Sequence, residues 1–183
     1  MSDMNVSSAT NAYNYYKTSE DKTEKKVSSK VDINKMSASD RAELVSQLKT
    51  EQENDLAKLT STVSKLMKRQ ATVFAQTDDL KWKFLAGGNF SVDADTKAQA
   101  QADIAEDGYW GVKQTSQRLF DFASALAGDD VDKMKSMQTA MQKGFQEATK
   151  AWGTDLPGIC GDTLKAANQL FEDYYSSKEA QTS

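Results

Sequence analysis

From Ser37 to about Gln76 the chain contains neither glycine nor proline, and its apolar residues recur at spacings of three and four. Val45, Leu48, Leu56, Leu59, Val63, Leu66 and Val73 form the stripe, with Gln52 and Gln70 in register. That period is helical, and it predicts one helix of about 35 residues, ~50 Å long. Ser37 or Ser39, ahead of Asp40 and Glu43, supplies the side-chain chemistry of a helix start. The interrupted stripe leaves two readings open. One is a coiled-coil seam offered to a second copy; the other is a bundle helix whose N-terminal half projects.

The rest of the chain repeats the helical period in shorter pieces. Asp78-Asp79 opens a short helix with Leu80, Trp82, Phe84 and Leu85, closed by Gly87-Gly88-Asn89. Ser91 to Glu106 is alanine-rich, with a thin apolar face of Ala94, Ala98 and Ala102 continuing to Ile104 or Ala105, and Asp107-Gly108 breaks it. Gly111 to Ala127 carries Val112, Thr115, Leu119, Phe122 and Leu126, a stripe expected to face inward. A further helix follows Asp129-Asp130 with Met134, Met137, Met141, Phe145, Ala148 and Trp152, and Gly153 stops it. The last starts near Gly161-Asp162, turns Leu164, Ala167, Phe171 and Tyr174 inward, and frays at Ser176-Ser177. No segment alternates with period two.

Apolar residues are only 38% of the chain, and they are concentrated beyond Arg41. Residues 1–36 are rich in Ser, Thr, Asn and Lys and cannot bury enough surface to offset the entropy of ordering them. They read as a disordered arm, with Tyr13, Tyr15 and Tyr16 either an incidental cluster or a docking or export element. Residues 37–177 read as the helical domain and 178–183 as a polar tail. The arm has no basic start and no apolar run, so a cleaved secretory signal is not expected. Cytoplasmic placement is expected, with export through an uncleaved N-terminus kept open.

Charge and rare residues exclude whole classes of chemistry. The arm carries +1 and the remainder −5, and only Arg41, Arg69 and Arg118 offer the guanidinium fork that suits phosphate. A nucleic-acid partner is therefore not expected. With no histidine and one cysteine, Cys160, the commonest general base, the His-paired nucleophiles and the usual transition-metal sites are missing. Asp129, Asp130 and Asp132 run straight into a helix, unlike the alternating ligands of a calcium loop, and read as capping carboxylates, as do Asp93, Asp95 and Asp103. Cys160 reads as a small residue with no resolving partner. No cofactor, metal or enzymatic reaction is expected.

The block Asp107-Gly108-Tyr109-Trp110-Gly111, with Arg118-Leu119-Phe120-Asp121-Phe122-Ala123, resembles a family of bacterial helical proteins of unknown function. So does Lys143-Gly144-Phe145-Gln146-Glu147-Ala148 followed by Trp152-Gly153 and Leu156-Pro157. The resemblance covers about Trp82 to Tyr175. Some members are labelled hydrogenase-4 component G, a name for which this chain has no metal or cluster ligands, and others lie near flagellar genes. It implies an all-helical fold and a bacterial origin, and it brings no catalytic residues.

The reading is an all-α, up-down bundle of four or five helices with one long N-terminal helix. The expected function is that of a non-enzymatic interaction or structural accessory protein with a protein partner, linked to a motility or surface apparatus. The alternative is a small-molecule or regulatory domain with an aromatic pocket of Trp82, Tyr109, Trp110 and Trp152. Trp110, between two glycines, either anchors its loop in the core or presents a binding edge. The methionine stripe is expected in the core, with a partner groove as its alternative.

Overall fold

The computed structural model describes residues 32–69, 78–88 and 90–182. The fold is all-α, with no strand among the described residues. A 3-10 turn at Ile33–Lys35 precedes six helices: α1 Ala38–Arg69, α2 Asp78–Ala86, α3 Ala94–Asp103, α4 Val112–Ala127, α5 Val131–Trp152 and α6 Gly158–Thr182. No described helix is long and apolar enough to cross a membrane. The Tyr13, Tyr15 and Tyr16 cluster, Gln70, Val73 and Gln76 lie outside the described residues.

The central element is α4, which packs against α1, α5, α6 and the 3-10 turn. Its buried residues are small or polar: Ser116, Asp121, Ala123, Ser124, Ala125 and Ala127. Leu119 and Leu126, expected inside, are 40% and 44% exposed. The physical reason is crowding. A helix touched on several sides needs short side chains there so that neighbouring backbones can approach, and its larger leucines fall on the uncovered side.

Two cores flank α4. Ala123 and Ala127 meet Met134 of α5 and Phe171 and Tyr174 of α6, with Phe120, Val131, Met137, Met141 and Tyr175 packed around them. Met134, Ala167 and Phe171 are fully buried, so the methionine stripe is a core stripe. The second core joins Ala125 to Leu44 and Leu48 of α1, with Ile33, Met36, Val45 and Phe122 at its edge. The fold therefore begins ahead of Ser37, because Ile33 and Met36 cover the start of α1. At the other end, α6 runs through 178–182, where Lys178 pairs with Asp129 beyond the start of α5.

The helix starts follow their sequence signals. Ser37 Oγ accepts from Asp40 N at 3.1 Å, Asp93 from Thr96 N at 2.8 Å, and Asp130 from Lys133 N at 3.0 Å. Asp129 pairs instead with Lys178, and Asp103 closes α3 as acceptor from Gln99. α6 begins three residues before the expected Gly161, with Cys160 N donating to Pro157 O. Gly128 ends α4 at φ +64°, where a side chain would meet the Arg41 guanidinium. Arg41 also donates to Met36 O at 2.6 Å, so one cation joins the 3-10 turn to the carbonyl end of α4.

The long helix departs most from its expected stripe. Its first half docks through Leu44 and Leu48, whereas Leu56 and Leu59 are 56% and 47% exposed. The N-terminal half is thus docked rather than projecting, and Val63, beyond the exposed leucines, is buried again at 6%. α3 buries no residue at all, and Ile104, after its last turn, is also exposed.

Candidate functional site

α3 ends at Asp103, and the chain must turn sharply to enter α4 at Val112. It does so by folding residues 104–111 back on the helix end. Trp110 N donates to Asp103 O at 2.7 Å, Gly108 N to Ala105 O at 2.9 Å, and Gly111 N to Gly108 O at 2.9 Å. A Cβ on Gly108 would overlap the carbonyl oxygens of Ala102 and Asp103, and one on Gly111 would overlap that of Ala105. The two glycines of Asp-Gly-Tyr-Trp-Gly are therefore a requirement of close backbone approach.

This turn presents two aromatic rings, and they have different tasks. Tyr109 is half-buried and reaches α1, its hydroxyl 2.9 Å from both Glu51 Oε1 and Asp55 Oδ2. With one proton it donates to one carboxylate at a time. Burial first, and then these two hydrogen bonds, hold the phenol well above its ordinary range. The Arg118 guanidinium of α4 lies 4.0 Å from the Tyr109 ring centroid and 5.3 Å from that of Trp110, and Nη2 donates to Thr115 Oγ1 at 3.2 Å. Burial lowers the guanidinium's pKa, opposed by Tyr109, Glu51 and Asp55. Trp110 meets Tyr109 edge to face at 4.9 Å and remains 45% exposed.

Tyr109 thus anchors the turn, and Trp110 presents an edge. Trp82 is half-buried on α2 and Trp152 is half-buried in the last turn of α5. Neither makes a ring contact with the Tyr109–Trp110 pair among the described residues. Of the four aromatics singled out in the sequence, the structure brings two together.

Glu51, Asp55 and Arg118 complete the cluster and were not marked by the sequence as site residues. Glu51 and Asp55 share a helix face at i, i+4, a spacing any long helix repeats, and only tertiary structure pairs them with Tyr109. The arrangement suits binding better than proton transfer. Tyr109 holds its proton, Arg118 is a fixed cation, and Lys58 lies 3.5 Å from Asp55. No group of three or more Cys, Asp or Glu side chains gathers among the described residues as metal ligands do.

Two other ionisable groups lie apart from the cluster. Asp121 is 8% exposed on α4 and accepts from Gln117 Nε2 at 2.9 Å, and burial pushes its carboxyl up to about 7. The sequence signal was an aspartate between two phenylalanines inside an apolar helix. Cys160 is half-buried with its thiol pushed up by burial, the opposite of an activated thiolate.

Comparison of the chain with protein-family models, with curated proteins and with solved structures finds no match.

Proposed function

We propose that this is a non-enzymatic interaction or structural accessory protein of bacteria, acting beside a motility or surface apparatus, and that it meets a protein partner through the face around Trp110. One observation carries the reading. A large aromatic side chain stands 45% exposed on a turn whose close backbone approach requires its two glycines, against the Tyr109 ring and the Arg118 guanidinium. Trp, Tyr and Arg are the residue types that dominate binding energy at protein interfaces, and rigid placement lowers the entropy lost on binding. Leu56, Leu59 and Ile104 are also exposed, and α3 contributes a helix with no buried residue. The bacterial and motility elements rest on the resemblance of the Asp107–Gly111 and Arg118–Ala123 blocks.

The test is capture of partners from a bacterium that carries the protein, with the full chain and with Trp110→Ala as bait. Loss of a specific partner with an unchanged melting midpoint supports the proposal. Capture that is indifferent to Trp110 overturns the assignment of this face.

A further inference from the structure

Between Ser91 and Gly111 the chain holds five acids, Asp93, Asp95, Asp103, Glu106 and Asp107, and a single cation, Lys97. Acids elsewhere in the fold have a lysine close by. Asp55 lies 3.5 Å from Lys58, Asp130 3.3 Å from Lys133 and Glu147 3.9 Å from Lys143. Asp95, Asp103, Glu106 and Asp107 join no ion pair among the described residues. Arg118, the cation against the Trp110 ring, is half-buried and already acts with Glu51 and Asp55 of α1. The carboxylates of the turn are therefore left for something outside the chain. The C-terminal end of α3 adds its own partial negative charge at the same place.

The same stretch carries apolar surface that its own domain leaves open. α3 is ten residues long and buries none of them. A helix that short gains little stability in water from propensity alone, so what covers it matters. Ala94, Ala98 and Ala102 are exposed and recur at every fourth position, which places them along one side. Ile104 follows at 51% exposure, and Trp110, held to Asp103 O by its backbone amide, stands 45% exposed at the end of the strip. Alanines admit a second helix closely, and a tryptophan at the end gives it an anchor. Carboxylates along the edge repel nucleic acid and anionic lipid, and they match a helix whose apolar side is flanked by lysine or arginine.

We infer that the occupant of the Trp110 face is a basic amphipathic helix of a partner protein, laid along α3. Its apolar side meets Ala98, Ala102 and Trp110, and its cations meet Asp103, Glu106 and Asp107. The inference rests on the reading of the Trp110 face as an interaction surface, and it names the chemistry of what that face meets.

Calorimetric titration of the full chain with synthetic peptides of about 14 residues, long enough to span α3, tests it. One peptide places leucine and lysine at helical spacing, a second has glutamate for every lysine, and a third shuffles the first so that no apolar side forms. The variants are Trp110→Ala and the charge reversal Glu106→Lys with Asp107→Lys, all at exposed positions, with circular dichroism as the check on fold. The helical lysine peptide should bind one-to-one, about tenfold or more weaker to each variant, and weaker again at high salt, where the charges are screened. The glutamate peptide should not bind, and the shuffled peptide should bind far more weakly. Failure of the lysine peptide to bind, binding indifferent to either variant, or equal binding of the shuffled peptide overturns the basic helix as occupant. The interaction reading itself stands or falls separately, on the Trp110→Ala capture.

Discussion

Replacing Asp121 by Asn should make the protein more stable, and by an amount that depends on pH in one direction. Asp121 is 8% exposed, and its carboxyl is shifted from 3.8 to about 7 by burial. The folded chain holds this proton more tightly than the unfolded chain. Below about pH 3.8 both states are protonated and the group's contribution is fully present. As pH rises toward 7 the unfolded chain releases the proton first, and that contribution is progressively lost. Each pKa unit corresponds to about 1.4 kcal/mol, so the loss approaches ~4 kcal/mol by neutral pH as an upper bound. Asparagine cannot ionise, and its carbonyl keeps the bond from Gln117 Nε2. Asp121→Asn should therefore match the wild type near pH 4 and exceed it by ~2–4 kcal/mol at pH 8. Urea unfolding followed by circular dichroism across that range measures the difference, and the other titrating groups cancel in the subtraction. Parallel stability curves, or a variant weaker than wild type at pH 8, would refute the buried-carboxyl argument.

The remaining expectations concern the cores and the turn. A chain starting at Asp32 should keep its thermal midpoint, whereas one starting at Ser37 should lose ~2 kcal/mol, since it sheds Ile33 and Met36 from the α1 core. Met134→Asp, at a fully buried position, should destabilise by several kcal/mol or prevent folding, and Met141→Asp should cost less because that side chain is only partly buried. Thermal melts separate the two, and equal melts would place the methionine stripe differently. Gly108→Ala should cost ~1–3 kcal/mol and loosen the turn, which faster amide exchange at Trp110 and Gly111 would report.

The parts of the fold that were legible are those decided by local chemistry. Ser37, Asp93 and Asp130 start helices because their side chains reach an amide three residues on, a relation contained in the sequence. Ala167, Phe171 and Tyr174 were readable because α6 turns one apolar stripe inward, with Phe171 and Tyr174 in the core beside α4 and α5. α4 defeated the same reasoning. A periodicity argument weights large apolar residues and so selected Leu119 and Leu126, whereas a crowded helix is recognised by alanine and serine. Leu44 was missed because the stripe was started one residue late, at Val45. In the candidate site, the glycine-flanked aromatics were visible and their partners were not. Tyr109 meets residues 54 and 58 positions away in sequence, and no local pattern specifies such a contact.

The central position of α4 also bears on the order in which the molecule forms. Helices α4, α5 and α6 are consecutive in the chain and joined by short connections, so their mutual contacts close small loops. α1 is different. It leaves the ribosome early, but the surface that receives Leu44 and Leu48 belongs to a helix beginning at Val112. Until that helix has been synthesised, α1 has a completed apolar face and nothing of its own domain to set against it. During synthesis this segment, rather than the later bundle, is where chaperone binding or premature self-association would concentrate.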